Sequence, residues 1–217
     1  MPYILYYHPL SSFCWKPLIA LYEKNIAFTP HLVNLGDKNS REDFLKIWPM
    51  GQFPVLRDEQ RGSTIPQSAA IIEYLDLQEA RGTKMLPADA ASALEARRWD
   101  SFLDCNVQVP MQKIVGDCLR PAEAKDAHGV KEARRIINQA YGVLESQIAE
   151  SGWMIGANFS LADCAAAPAL YYANIVEPMG LNYPKLAAYL ARLEKRPSFA
   201  RVLSEAAPYF SMFPYGK

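Results

Sequence analysis

The feature that most constrains this chain is a change of texture near residue 80. Before it, short strand-like runs alternate with helical ones; after it, strand signals stop. Tyr3-Ile-Leu-Tyr-Tyr is aromatic and β-branched and ends at His8-Pro9, which reads as a buried strand running into a loop. Phe13 to Lys24 reads as a helix, with Leu18, Ile19 and Tyr22 at helical spacing. Pro17 is tolerated there because it falls near the first turn. Phe28 to Leu35 is a second strand and Arg41 to Ile47 a short helix. Val55-Leu-Arg57 and Ser63-Thr-Ile65 form a hairpin around the Asp58–Gly62 turn. Gln67 to Ala80 closes this part as a helix with Ala70, Ile71, Tyr74 and Leu75 on one stripe. The order is βαβ, then αββα. A parallel pair joined by a crossover helix, followed by an antiparallel hairpin, makes a small mixed sheet.

The remainder is helical in pattern. Arg81-Gly-Thr-Lys-Met-Leu-Pro87 is a turn-rich connector, and Ala90 to Val115 reads as one long helix carrying Leu94, Trp99, Leu103 and Val107. Val130 to Ala149 sets Ala133, Ile136, Ile137, Ala140, Leu144 and Ile148 on one face. Ser160-Leu-Ala-Asp163 has the form of a capping box, and Pro184 and Pro197 each suit the first turn of a further helix. The expected organisation is an α/β domain over 1–80 (βαβαββα), a linker over 81–89 and an all-α domain over 90–217.

Charge and cysteine usage remove several function classes. The chain carries 23 Lys and Arg against 23 Asp and Glu. Split after Leu77, the first part has 7 basic and 8 acidic residues and the second 16 and 15. Neither part has the basic excess that phosphate-backbone binding needs, so nucleic acid is not an expected partner. The opening Met1-Pro-Tyr-Ile-Leu-Tyr-Tyr-His has no basic segment and no long apolar run, so no secretory leader is expected. The most apolar region, Leu161 to Leu181, is interrupted by Asp163, Pro168, Glu177 and Pro178, which predicts no membrane span. Cys14, Cys105, Cys118 and Cys164 form no CxxC pair, and the three histidines are scattered. No metal site is expected, and reduced thiols in a cytoplasmic protein are the better reading.

Three segments have the means to do chemistry. In His8-Pro-Leu-Ser11-Ser12-Phe13-Cys14-Trp15-Lys16 a hydroxyl stands where a strand hands over to a helix. Unpaired amides and the positive dipole end there favour an anion such as a thiolate. The alternative is that Ser11 or Ser12 only caps the helix. In Met50-Gly-Gln52-Phe53-Pro54-Val55-Leu56 a cis Pro54 would turn the Phe53 backbone outward to pair with an extended ligand. A trans proline opening an edge strand is the other reading. In Pro66-Gln67-Ser68-Ala-Ala-Ile-Ile-Glu-Tyr74-Leu75 the helix start offers amides and a hydroxyl to a carboxylate, or is simply capped.

In their order and spacing the three segments, with Ser160-Leu-Ala-Asp163 behind them, resemble the soluble glutathione transferases over essentially the whole chain. The resemblance implies a thioredoxin-like domain followed by a helical one, glutathione as co-substrate and a homodimer. It implies transfer of the glutathione thiolate to an apolar electrophile; a glutathione-dependent isomerase or peroxidase, or a non-catalytic ligand-binding module, are alternatives on the same fold. Ser11 matches the serine that activates the thiol in the theta, zeta and tau classes. Tyr7 holds the place of the phenol used by tyrosine-type classes, a core tyrosine being the other reading, and Ser12 is the neighbouring hydroxyl. Phe53 and Pro54 match the pair that meets the cysteinyl backbone, Gln67 and Ser68 the pair that holds the γ-glutamyl end, and Gln52 and Lys38 stand for the glycyl end. Phe13 replaces the cysteine of the zeta-type Ser-Ser-Cys run, so a zeta-type isomerase is not implied. Cys14 matches the second position of a thioredoxin-type pair whose first is Ser11, which points to packing. Leu10, Phe13, Cys105, Gln108 and Met111 are the expected wall of the electrophile pocket, core packing being the alternative for each.

Overall fold

The computed structural model describes residues 2–79 and 82–215. It opens with β1 (Tyr3–Tyr7), α1 (Ser12–Glu23), β2 (Thr29–Leu32), α2 (Lys38–Ile47), β3 (Val55–Asp58), β4 (Ser63–Pro66) and α3 (Ser68–Gln78). The four strands form one sheet in the order β2-β1-β3-β4. β1 runs parallel to β2, with Ile4 opposite Thr29, and antiparallel to β3, with Leu5 opposite Leu56. This is the mixed sheet expected from the element order. α1 begins at Ser12, one residue earlier than expected, and its residues from Cys14 to Leu21 are all buried. The second strand is four residues rather than the longer Phe28–Leu35 run. α2 begins at Lys38, three residues before Arg41, because the Asp37 carboxylate accepts the Ser40 N–H at 2.8 Å and caps an earlier turn. α3 ends at Gln78, and the expected last residue, Ala80, lies outside the described residues.

The second part is α4 (Ala90–Leu103), α5 (Val109–Cys118), α6 (Ala127–Gln147), α7 (Leu161–Val176), α8 (Pro184–Glu194) and α9 (Pro197–Ala206). The single helix expected over Ala90 to Val115 is instead two helices joined by a π-helical turn, Asp104–Gln108. Pro110 supplies the reason. It has no N–H to donate to the Asn106 carbonyl and its ring crowds that carbonyl, so the hydrogen bonding widens just upstream. Each extra residue in such a turn rotates everything beyond it, which bears directly on the site below. α7 is buried along most of its length and starts at the capping box. The Asp163 carboxylate accepts the Ser160 amide at 2.9 Å and its hydroxyl at 3.0 Å, as well as Tyr189 O–H and Met154 N–H.

The two parts share one continuous core. α1 lies against α7, and Trp15 sits among Tyr171, Tyr172, Phe199 and Phe210. The Tyr172 hydroxyl donates to the Leu10 carbonyl at 3.0 Å, and the Trp15 indole N–H to the Pro9 carbonyl at 2.6 Å. The loop that carries Ser11 is therefore held from below by the helical part.

Candidate active site

The three segments picked from the sequence meet at one cavity of about 410 Å³. Ser11 and Phe13 come from the start of α1, and Gly51, Gln52, Phe53 and Pro54 from the loop before β3. Gln67 and Ser68 come from the start of α3, and Leu35, Trp48 and Gln112 complete the wall. The Phe53–Pro54 peptide bond is cis. Ser11 is the residue before α1, and its carbonyl accepts the amides of Cys14 at 2.9 Å and Trp15 at 3.3 Å. Its hydroxyl makes no capping bond. Ser11 therefore opens the helix through its backbone carbonyl rather than by a side-chain cap, and it lines the cavity.

Gln67 has φ +73°, a left-handed backbone setting that a non-glycine residue holds only against about 1–3 kcal/mol of strain. It precedes α3 without capping it through its side chain, and it borders the cavity together with half-exposed Ala69's buried neighbour Ser68. The opening amides of α3 thus lie beside a polar amide and a hydroxyl, the setting in which a carboxylate is stabilised.

A second cavity of about 300 Å³ adjoins the first and shares Ser11 and Gln112 with it. Its other walls are Leu10, Ser12, Met111, Val115, Gly116, Tyr172 and Phe213. Leu10 and Met111 line this cavity, and Phe13 lines the first one instead. Cys105 and Gln108 are corrections. Cys105 is exposed and lines neither cavity; Gln108 is fully buried, with no hydrogen-bond partner for its amide among the described residues. The cause is the π turn. A regular helix would set residues 105, 108 and 111 on neighbouring positions of one side, but the wider turn presents Met111, Gln112, Val115 and Gly116 to the cavity. Only the Pro110 signal pointed to that shift.

The remaining sequence candidates lie elsewhere. Tyr7 borders a separate cavity with Tyr22, Ile26 and Phe28. Burial raises its hydroxyl pKa above the usual phenol range, with Glu205 and Tyr209 adding to the effect. Lys38 is exposed at the start of α2, 3.9 Å from Glu42, and lines neither cavity. Cys14 is wholly buried, and burial pushes its thiol up to about 12 although the Ser11 side chain and the His8 backbone both oppose the rise. That thiol is an inert packing group at neutral pH. His8 is lowered by burial, and its Nδ1 accepts the Leu10 amide at 3.2 Å, so the ring braces the Ser11 loop in its neutral form.

Comparison with known proteins agrees with this layout. The glutathione S-transferase N-terminal domain matches residues 5–84, and the glutathione S-transferase C-terminal domain matches residues 109–197. The chain belongs to the glutathione S-transferase family. Among curated relatives, the glutathione S-transferase GstB of Escherichia coli is 28% identical, over 76% of this chain and 79% of its own length. Elongation factor 1-gamma-A of Xenopus laevis is 26% identical over 93% of this chain, which corresponds to 46% of that protein. Among solved structures, a glutathione S-transferase of Methylobacillus flagellatus with glutathione bound superposes with a TM-score of 0.84. It is 25% identical and covers 92% of this chain and 98% of its own. Family membership accounts for the mixed sheet, the helical second part and the order of the three segments around the cavity.

Proposed function

We propose that this glutathione S-transferase binds glutathione in the larger cavity and transfers its thiolate to an apolar electrophile held in the smaller one. The observation that carries the reading is the meeting of Ser11, Phe53 with Pro54, and Gln67 with Ser68 around one cavity, with the Ser11 hydroxyl not spent on capping. In this reading Ser11 donates to the thiolate at the start of α1. The Phe53 backbone meets the cysteinyl part, and Gln67 and Ser68 with the α3 amides hold the γ-glutamyl carboxylate. A cavity bordered by amides and hydroxyls, with no lysine or arginine among its described lining residues, suits a ligand held by directed hydrogen bonds.

Thiolate formation contributes only part of the rate. A thiol of pKa about 8.5 is a few per cent ionised at neutral pH, and lowering it to about 6.5 raises the thiolate roughly twentyfold. The accompanying loss of nucleophilicity takes back nearly a factor of ten. Holding the two reactants together supplies the larger share, several kcal/mol. Ser11→Ala is therefore expected to lower conjugation of a chromogenic electrophile at least about tenfold while glutathione binding, measured by titration calorimetry, is largely kept. Unchanged turnover in Ser11→Ala, with a loss in Tyr7→Phe, would transfer the role to the tyrosine.

A second reading, a glutathione-binding module without turnover, draws on the relative named as an elongation factor subunit. Retention on immobilised glutathione without product from a panel of electrophiles would favour it. A homodimer in the cytoplasm completes the proposal and follows from the family rather than from this chain's own contacts.

A further inference from the structure

We infer that Gln112 is a specificity-determining residue and that it selects electrophiles whose reacting carbon is conjugated to a hydrogen-bond acceptor, an α,β-unsaturated carbonyl in the simplest case. This rests on the transferase reading above. Two residues border both cavities, Ser11 and Gln112. An electrophile placed to meet a thiolate at Ser11 thus has its reacting end beside the Gln112 amide. The rest of the smaller cavity offers little competition. Leu10, Met111, Val115 and Phe213 are apolar, and the Tyr172 hydroxyl is committed to the Leu10 carbonyl. Ser12 is buried, whereas Gln112 is exposed on α5 and its amide makes no hydrogen bond to another described residue. Gly116 lies one turn further on, and a Cβ built there would meet nothing within 4 Å, so the cavity opens beside the glutamine.

The chemistry that this arrangement favours is conjugate addition. The thiolate sulfur attacks the β-carbon and a C–S bond forms. The carbon–carbon π pair moves to the α-carbon and carbonyl, so negative charge develops on the carbonyl oxygen. The Gln112 N–H donates to that oxygen as its charge grows, a contribution made mainly in the transition state. The α-carbon then takes a proton from water, balancing the proton lost when the thiolate formed. A halide displaced from a benzylic carbon develops no charge on a conjugated oxygen and gains nothing from the same donor.

The test compares benzylideneacetone with benzyl chloride, two electrophiles with the same aromatic body, in the wild-type protein, Gln112→Leu and Gln112→Glu. The glutamate keeps the shape and removes the donor. The readout is the ratio of kcat/KM for the enone to that for the halide. Both variants are expected to lower the ratio at least about tenfold, the order of effect of one lost transition-state donor. A ratio held within about twofold in both overturns the inference, including the case where both substrates fall together. Gly116→Val, whose side chain enters the open space, is expected to lower both substrates about equally without moving the ratio. No effect on either would remove the smaller cavity as the electrophile's seat and overturn the inference as well. A wild-type protein that binds glutathione but consumes neither substrate overturns the transferase reading, and the inference falls with it; calorimetry tells that outcome from the others.

Discussion

Two lysines, Lys16 within α1 and Lys24 just past its end, have side chains with no exposed surface, and they are paired in opposite ways. Lys24 reaches one carboxylate, Asp76, at 2.9 Å, and the other oxygen of Asp76 accepts the amides of Met85 and Leu86, each at 2.8 Å. One positive and one negative charge are balanced, and the spare acceptor fastens the connector that follows α3. Lys16 reaches two carboxylates, Asp104 at 2.7 and 2.9 Å and Asp100 at 2.7 Å. That cluster carries one negative charge too many. It sits where α1 meets the π turn, with the Lys16 ammonium 5.8 Å from the ring of Phe13, a wall of the larger cavity. The same pairing chemistry thus fastens a connector in one place and leaves an unbalanced charge beside the site in the other.

The difference predicts unequal costs for losing the cation. Lys16→Met leaves the buried Asp100 and the partly exposed Asp104 without a counter-charge. A loss of about 3–5 kcal/mol is expected, the range for breaking a buried pair. Lys24→Met leaves one carboxylate that keeps two backbone donors, so its loss is expected to be smaller. Urea midpoints with the slopes held common would show it. Equal losses would mean that the second aspartate adds nothing at Lys16.

Removing an anion should separate the two clusters further. Burial raises the Asp104 carboxyl above the ordinary carboxylate range; Lys16 opposes the rise and Asp100 adds to it. The native state therefore takes up this proton more readily than the unfolded chain. The associated stability is fully present below the unfolded carboxyl pKa of about 3.9 and is lost as pH rises through the higher folded value. At neutral pH the Asp104 charge weighs against the fold. Asp104→Asn is accordingly expected to be as stable as the wild type or more so at pH about 7. Asp76→Asn, which strips Lys24 of its only carboxylate partner among the described residues, should lose about 3–5 kcal/mol. Thermal denaturation of both variants across pH checks the sign, and a destabilised Asp104→Asn would show that its charge is needed by Lys16.

How much of this was legible in sequence follows the same division. The α/β part was readable because short alternating runs, turn residues and helix starts carry their own local rules. Tyr3–Tyr7 came out with both ends correct, and the candidate segments that those rules marked at helix starts line one cavity. The helical wall was not readable in the same way. Met111 lines the smaller cavity while Cys105 and Gln108 do not, because the helical register was carried through Pro110 as if the rod were regular. Gln112, Val115 and Gly116 face the cavity only once the π turn has rotated them. The buried lysines were equally hidden, since a lysine in an apolar helix shows no partner until Asp76, Asp100 and Asp104 arrive from far along the chain.

A third lysine sets the lower end of the comparison. Lys38 was expected to hold the glycyl end of glutathione, yet its side chain is 77% exposed and its nearest carboxylate, Glu42, stands 3.9 Å away. An exposed pair of this kind contributes about 0.3–0.5 kcal/mol at most and is screened by salt. The larger cavity is closed on its far side by Leu35 and Trp48, from the segments flanking α2, and not by this lysine. Lys38→Ala is therefore expected to shift the KM for glutathione by less than about twofold at physiological ionic strength, where charges more than about 8 Å apart are largely screened. Measuring that KM at low and at physiological salt decides the point. A several-fold rise at both would mean that Lys38 swings onto the glycyl carboxylate when glutathione binds, and that a mobile surface lysine does more for the site than either of the buried ones.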